Sequence, residues 1–443
     1  MQFSTETLTQ VTQLLFSDWQ QQGLGEQGMS AAEVEKQLQA GLQDVGRLVL
    51  REVWEAEDAK LHEAGVTCEH AECQGSEMKR VSRREVQVMS IWGPVRYRRG
   101  EYVCEKKHRK AALDEAQGLH PGQPTPHLEM LLGLSGAALP FEQGALWVQT
   151  WLQVEVAPNT VRRATHTLGE RQKAEEERWY SESERQDHQI QHREAFPERP
   201  QRVYVSVDGG FVPMRKGQNG AEDWREAKAV VWYQEGKTYG EDQKRAEKME
   251  IYGTLEDKEG FGKLLWSSGY HYGADLAEEV VAVADGAAWI WDLMQTYYPH
   301  AVQILDWSHA VGYLYAIHQA WEEQDAAAAE QWLTESKQWL WDGEVERVIA
   351  RCRSLAETHP AVSKPAATAA GYFERHAHRM DYRRFREKGY FIGSGTIESG
   401  VKRLSTARLK IAGARWNMEG GELALKARSL FLNRSWSLLP LAV

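Results

Sequence analysis

Residues 202–210 read RVYVSVDGG. β-Branched and aromatic side chains run into an acid and two glycines. That is the pattern of a buried strand that delivers one carboxylate, Asp208, to a fixed point. Two later stretches are placed to meet it. VVAVADGAAW (280–289) is another strand ending in Asp-Gly, at Asp285, and GSGTIESG (393–400) is a glycine-flanked turn opening a basic helix that carries Glu398.

Working outward, strands are expected at 202–215, 225–235 and 248–255. They are close enough in sequence to pair as an antiparallel meander. A helix at 261–270, a strand at 280–284, a helix at 287–298 and a strand at 302–305 follow. Helical crossovers between the later strands imply that the sheet continues in parallel. Three strands, helix, strand, helix, strand is the order of an RNase H-like fold, in which the fourth strand lies beside the first. Asp285 ends the fourth strand and is the expected second acid. Asp306, in ILDWSHA, ends the fifth and is its rival, with His309 forming an Asp-x2-His pair just outside the site.

Three carboxylates from different elements are what hard divalent ions such as Mg²⁺ or Mn²⁺ require. Two such ions about 4 Å apart can activate a nucleophilic oxygen and stabilise the leaving oxygen of an in-line displacement at phosphorus. Each acid also has a plainer role open to it. Asp208-Gly209 could form a turn, Asp285 could cap the following helix, and Glu398 could pair with Lys402 at i,i+4.

A chain of 443 residues implies two to four folded units, and 18 tryptophans supply sizeable cores. The net charge of -11 is unevenly spread. Residues 381–434 hold 12 Lys/Arg against 5 Asp/Glu, a basic patch of the kind that binds phosphate, whereas residues 1–60 hold 4 against 10. Lys402, Arg403, Arg408, Lys410 and Arg415 follow Glu398 closely and are expected to hold DNA phosphates. Trp416 is a candidate for stacking on a frayed base, a core position being the commoner case. The start of the chain lacks a signal-peptide pattern and no apolar run spans a bilayer, so a cytoplasmic, membrane-free protein is expected.

Four cysteines do not make a disulfide scaffold. Cys68, Cys73, Cys104 and His108 bracket a β-rich stretch centred on Gly93-Pro94, the layout of a zinc ribbon, with His70 a competing ligand. The expected organisation is a helical region (1–64), the ribbon-like hairpin (65–115) and a helix-turn-helix-like module (116–170) with Arg162 and Arg163 toward DNA. A charged helical linker (171–200) leads to the first part of the RNase H-like core (201–310). An all-helical insertion (311–390) precedes the closing helices (391–443). The fold class is thus multidomain α+β, an RNase H-like core preceded by a helical and zinc-ribbon-like DNA-binding region. Arginines on the hairpin, Arg83, Arg84, Arg96, Arg98 and Arg99, also suit phosphates.

Over about residues 68–436 the chain resembles the ISKra-type insertion-sequence transposases, within the DDE group of RNase H-like recombinases. The pieces that carry the likeness are RREVQVMSIWGPVRYRRGEYVC, VSVDGG, ADGAAWIWDLM with ILDWSHA, and GSGTIESGVKRLSTARLKIAGARW. The resemblance implies DDE chemistry at Asp208, Asp285 and Glu398: Mg²⁺-dependent cleavage at the ends of a mobile element and strand transfer into target DNA. It fits Asp306 and His309 as the Asp/Cys-x2-His motif of Mutator-like and hAT-like relatives, which share the helical insertion. It implies transposon-end and target DNA as partners in a prokaryotic nucleoid. Joining two ends calls for a homodimer or larger assembly. One departure is that Cys68-x4-Cys73 is wider than the family's usual Cys-x2-Cys, and His108 stands where a cysteine is expected. The alternatives are a domesticated DNA-binding protein with a dead site, or a nuclease that cuts without joining.

Overall fold

The computed structural model describes residue 9 and residues 30–196, 198–217, 224–236, 245–393 and 395–435. The first of the two helices expected at the N-terminus lies outside these stretches. Contacts divide the mixed α+β chain into two units, residues 1–168 with 436–443 and residues 169–435. No helix among the described residues is long and apolar enough to cross a membrane.

In the first unit, helix α1 (Ala31–Ala64) starts at Ser30. The Ser30 hydroxyl accepts from the Glu33 N–H and the Glu33 carboxylate accepts from the Ser30 N–H. This reciprocal cap satisfies two donors that a helix start otherwise leaves open. The helix lies along a hairpin of β1 (Lys79–Ser90) and β2 (Gly93–Val103), extended by a short β3 (Arg109–Lys110). Trp54 meets Tyr97 edge-on at 5.2 Å, and the buried Asp58 accepts from the Gly100 N–H at 2.8 Å.

Of the hairpin arginines Arg99 is buried, whereas Arg83, Arg84, Arg96 and Arg98 are exposed. Arg99 is buried against Asp114, Arg83 reaches Glu55, and Arg84 reaches Glu101. Two of these acids, Glu55 and Asp114, come from α1 and from α2 (Ala112–Gln117), too far off in sequence for the pairing to be read. Helices α3 (Pro126–Ala138), α4 (Phe141–Leu152) and the first turns of α5 (Pro158–Ser183) then share a core of Leu128, Leu132, Val148 and Val161. A Cβ at Gly136 would come within 2.1 Å of Thr165 Oγ1, so only glycine lets α3 and α5 approach this closely.

Helix α5 corrects the expected linker. It continues without a break to Ser183, and Gln172, Glu176, Trp179 and Ser183 on it are buried. Their spacing of four, three and four residues is one helical face. The charges that made the segment read as solvated are partly satisfied along the helix, where Arg178 bridges Glu175 and Glu182. Glu176 instead meets the buried Lys426. A short helix α6 (Gln186–Ala195) follows.

The second unit is built on β4 (Arg202–Pro213), β5 (Trp224–Glu235), β6 (Ala246–Thr254), β7 (Glu279–Ala284) and β8 (Val302–Leu305). They form one sheet in the order β6-β5-β4-β7-β8. The first three pair antiparallel, and β4, β7 and β8 run parallel, the arrangement expected from the sequence. Helices α7 (Lys258–Tyr272) and α8 (Ala288–Tyr297) make the crossovers. Trp232 of β5 donates to Ser268 of α7 at 2.9 Å, which places α7 on the face opposite that of Tyr204, Ser206 and Asp208.

After β8 come α9 (Trp307–Glu322), α10 (Ala326–Trp341), α11 (Val345–Thr358), α12 (Ser363–His376) and α13 (Tyr382–Glu387), all helical as expected. The chain returns to the sheet through α14 (Gly395–Val401), a π-helical turn (Lys402–Thr406), α15 (Ala407–Leu409) and α16 (Met418–Asn433).

Candidate functional site

The parallel register carries three acids to one level. Arg202 pairs with Glu279 and Val205 with Ala282, so the same offset sets Asp208 beside Asp285. Val281 pairs with Val302 and Ala284 with Leu305, which sets Asp285 beside Asp306. In open sheets with parallel strands, ligands bind beyond the carboxyl ends where neighbouring strands lead to opposite sides. Here that switch lies between β4, which continues into β5, and β7. Asp208 and Asp285 flank it.

Helix α14 brings Glu398 to the same face. A Cβ at Gly400 would meet Val231 and Ile251 at 2.8 and 2.9 Å, and one at Gly210 would meet Val401 at 2.9 Å. Val231 is paired with Ser206 and Ile251 with Val231, so all lie on the face from which Asp208 projects. Ile397, Gly400 and Val401 are buried while Glu398 is exposed. Glu398 shares a cleft of about 440 Å³ with Ser308, His309 and Tyr313. No ion pair joins Glu398 to Lys402 among the described residues.

Burial pushes the Asp208 carboxyl above the usual range. The Gly209 N–H, which donates to Asp208 Oδ1 at 2.7 Å, opposes this, the charges of Asp285 and Glu398 push it further up, and His309 draws it down. These four side chains therefore share one electrostatic site. No lysine or arginine pairs with Asp208, Asp285 or Glu398 among the described residues. The three acids are a looser group than the cysteine cluster described below, the only set of ligand atoms among the described residues that lie within 4.8 Å of one another.

Asp306 does something different. It is fully buried, its Oδ1 accepts from the His309 N–H at 2.8 Å and from the Ser308 hydroxyl, and its own N–H donates to Ala284 O. It caps α9 and prolongs the ladder, and the cap holds His309 at the mouth of the site. Asp285 is half-buried, with Oδ1 accepting from the Ala287 N–H at 2.8 Å.

The basic helix is split by burial. Lys402, Arg403, Lys410 and Arg415 are exposed. Arg408 is buried, with its guanidinium 5.2 Å from the Trp416 ring, and burial together with Arg428 brings its pKa down to about 10. Trp416 is buried too, donating to Leu409 O at 3.0 Å. Burial takes both away from the DNA contact expected of them, Trp416 through a parallel bridge to Met214. The exposed aromatic here is Trp224, with Lys410 Nζ 5.5 Å from its ring. In the first unit, Arg162 and Arg163 are exposed on α5, and Arg162 donates to Asn159.

The cysteine cluster forms at the open end of the β1–β2 hairpin. One turn carries Cys68 and Cys73 and closes through Gln74 and Gly75. The other carries Cys104 and His108 and closes through Lys107, and all three closing residues have positive φ. A 3-10 turn (Ala71–Cys73) takes up the extra residues of the Cys68-x4-Cys73 spacing. His108 Nδ1 lies 3.6, 3.2 and 3.3 Å from the sulfurs of Cys68, Cys73 and Cys104, and Cys73 Sγ is 3.9 Å from Cys104 Sγ. A tetrahedron with Zn–S of about 2.3 Å and Zn–N of about 2.0 Å has S···S edges near 3.8 Å and S···N edges near 3.5 Å. The set fits a metal such as zinc. His70 stacks on the His108 ring at 3.9 Å instead of joining the set.

Burial and the neighbouring thiols push Cys73 up to about 11. Burial also pushes Cys104 up, but hydrogen bonds from the His108 backbone, the other two thiols and the Lys106 backbone bring it below the ordinary value. The far nitrogen of His108, Nε2, lies 2.9 Å from Glu72 Oε1. That carboxylate orients the ring with Nδ1 toward the thiols. Glu72→Gln is therefore expected to weaken zinc binding by roughly 10- to 100-fold, read by competition with a chelator, with the fold retained.

Three positions beside these sites escape the sequence. Glu72 sits one residue before a ligand and reads as one more surface acid. Trp224 looks like any strand residue. Tyr372, from the helical insertion, packs against Gly286, where a Cβ would come within 2.3 Å of its ring, and so closes the ground beside Asp285. Only the Asp-Gly pair signals that something approaches there.

No protein-family model matches the chain, and no curated protein matches it.

Proposed function

We propose that the second unit is an RNase H-like catalytic core and that the chain is a DNA transposase of the DDE type. In this reading it cuts DNA at the ends of a mobile element and joins the freed ends to target DNA. The observation that carries this is the grouping of Asp208, Asp285 and Glu398 at the switch point of the β6-β5-β4-β7-β8 sheet. The strand order, the helical insertion between β8 and α14, and the basic residues after Glu398 support it.

Asp208, Asp285 and Glu398 would hold two Mg²⁺ or Mn²⁺ ions. Bound there, such ions supply charge stabilisation for the attacking and leaving oxygens of a phosphodiester. The chain's own part is positioning. Asp208 is fixed within β4 and Asp285 just beyond the end of β7, and each already accepts from a backbone N–H. Glu398 enters on a helix held by close glycine contacts. His309, exposed and held by the Asp306 cap, stands where it can donate to an incoming phosphate. Lys402, Arg403, Lys410 and Arg415 would hold the backbone on either side, and Trp224 could stack on a frayed base.

The cysteine cluster would hold one zinc ion and stiffen the hairpin of a DNA-binding module, with Arg162 and Arg163 as further phosphate contacts. Two ends must be brought together, so the working form is a dimer or larger. The test is cleavage of labelled element-end DNA by single alanine variants. Activity should vanish for Asp208, Asp285 and Glu398 while DNA binding survives. Asp306→Ala should instead lower the melting temperature, because it removes a buried cap worth about 1–2 kcal/mol. Wild type that binds DNA but never cuts it would leave the dead-site binding protein as the reading. Cutting without joining would leave a nuclease.

A further inference from the structure

A second site lies at the opposite end of β8 from the acids. A cleft of about 360 Å³ is lined by Gln295, Gln303, His378, Arg379, Arg384 and Lys388, among others, and no carboxylate lines it. In a chain with 64 acids and 53 lysines and arginines, three permanent cations and a histidine around one cleft without an acid make a concentrated positive field.

The cleft is built as well as charged. Arg379 is half-buried, its Nε donates to Gln303 Oε1 at 2.8 Å, and its guanidinium lies 4.3 Å from the centre of the Trp291 ring. It is held in place before any ligand arrives. Lys388 Nζ lies 5.8 Å from the Tyr390 ring. Glu279, the acid behind that ring, is already engaged by Arg202 and by the Tyr390 hydroxyl. Burial, and after it the charge of Arg379, pushes the His378 imidazole below its ordinary value, as a positive field requires. A fixed guanidinium fork flanked by an exposed arginine and an exposed lysine matches a phosphate group.

Val302 lines the cleft and opens β8, and Asp306 follows the strand's last residue. Four residues at about 3.3 Å each place the two ends about 13 Å apart, within the span of one bound duplex. We propose that this cleft binds the sugar-phosphate backbone of DNA at a second point, away from the carboxylates. The assignment to DNA rests on the transposase reading, whereas phosphate chemistry at the cleft does not.

The test uses the full-length chain and the variant Arg384→Glu/Lys388→Glu, both positions being exposed. One arm measures binding to a labelled duplex of about 30 base pairs across a salt series. The variant is expected to bind about tenfold more weakly at low salt, and its log–log salt slope should be shallower by about two. Metal-dependent cutting by wild type is scored alongside. The other arm asks whether inorganic phosphate raises the melting temperature of wild type and not of the variant. A changed salt slope supports the proposal even if no cutting is seen, in which case the transposase reading fails alone. Stabilisation by phosphate with no change in DNA binding would make the cleft a free-anion site and overturn its assignment to DNA. Equal behaviour of variant and wild type in both arms overturns the site altogether.

Discussion

Asp208→Asn is expected to raise the melting temperature of the metal-free protein, abolish its stabilisation by Mn²⁺, and lower DNA cleavage by roughly 10³-fold. All three effects follow from one carboxylate held out of its preferred state. Burial raises the Asp208 pKa, and Asp285 and Glu398 raise it further. An acid whose pKa is higher in the folded state binds its proton more tightly there. Its favourable contribution is complete below the unfolded value of about 3.9 and is lost as pH rises through the folded value. At neutral pH the charge is therefore a liability that asparagine removes.

A divalent cation removes it too. A ligand present at about 100 times its Kd stabilises the fold by about 2.7 kcal/mol, and the variant should forgo most of that gain. Metal ions at such sites supply several kcal/mol to the transition state, and each 1.36 kcal/mol is about tenfold in rate. Melting curves with and without Mn²⁺ check the first two effects, and single-turnover cleavage checks the third. A variant less stable than wild type without metal would show that Asp208 is a structural residue of β4.

Purified protein is expected to carry one zinc ion per chain, and Cys104→Ser to carry almost none. Structural zinc typically binds with about 10–16 kcal/mol in small modules, and that free energy is also folding free energy. Among the described residues the four ligands close the only end of the hairpin not joined by the β1–β2 turn. Loss of zinc should thus free residues 66–110 in particular. Mass spectrometry gives the stoichiometry, and amide exchange should show faster exchange across that stretch with the second unit unchanged. His108→Cys should keep the metal, because a thiolate can occupy the same corner. Metal-free protein with a fully protected hairpin would reduce the cluster to three buried thiols and a histidine.

The sheet was legible because its period is simple. RVYVSVDGG and VVAVADGAAW each announce a strand, though only the second stops at its Asp-Gly while β4 runs on to Pro213, and the helices between them leave few ways to connect. The ligand set at the hairpin was legible from residue type alone, once the 3-10 turn is seen to absorb the wide Cys68-x4-Cys73 spacing. What stayed hidden depends on contacts distant in sequence. Arg99 looks like a phosphate contact until Asp114 is seen beside it. The segment after residue 170 looks solvated because its buried stripe is written partly in glutamate and glutamine, and Lys426 lies 250 positions away from Glu176. Arg408 reads as a phosphate contact until it is seen buried against Trp416, whose core position was the commoner expectation and is fixed by a bridge to the distant Met214. The choice between Asp285 and Asp306 was a matter of strand order in the sequence. In the structure the difference is physical, one half-exposed beside Asp208 and the other fully buried as a helix cap.

The most direct measurement is the product of a single reaction: labelled DNA carrying the element's own ends, incubated with wild type in Mg²⁺, and the new ends analysed. The account predicts a cut at the element boundary that leaves a 3′-hydroxyl, joined to target DNA when target is supplied, and absent with Asp208→Asn. DNA that is bound yet remains intact in both Mg²⁺ and Mn²⁺ would contradict it.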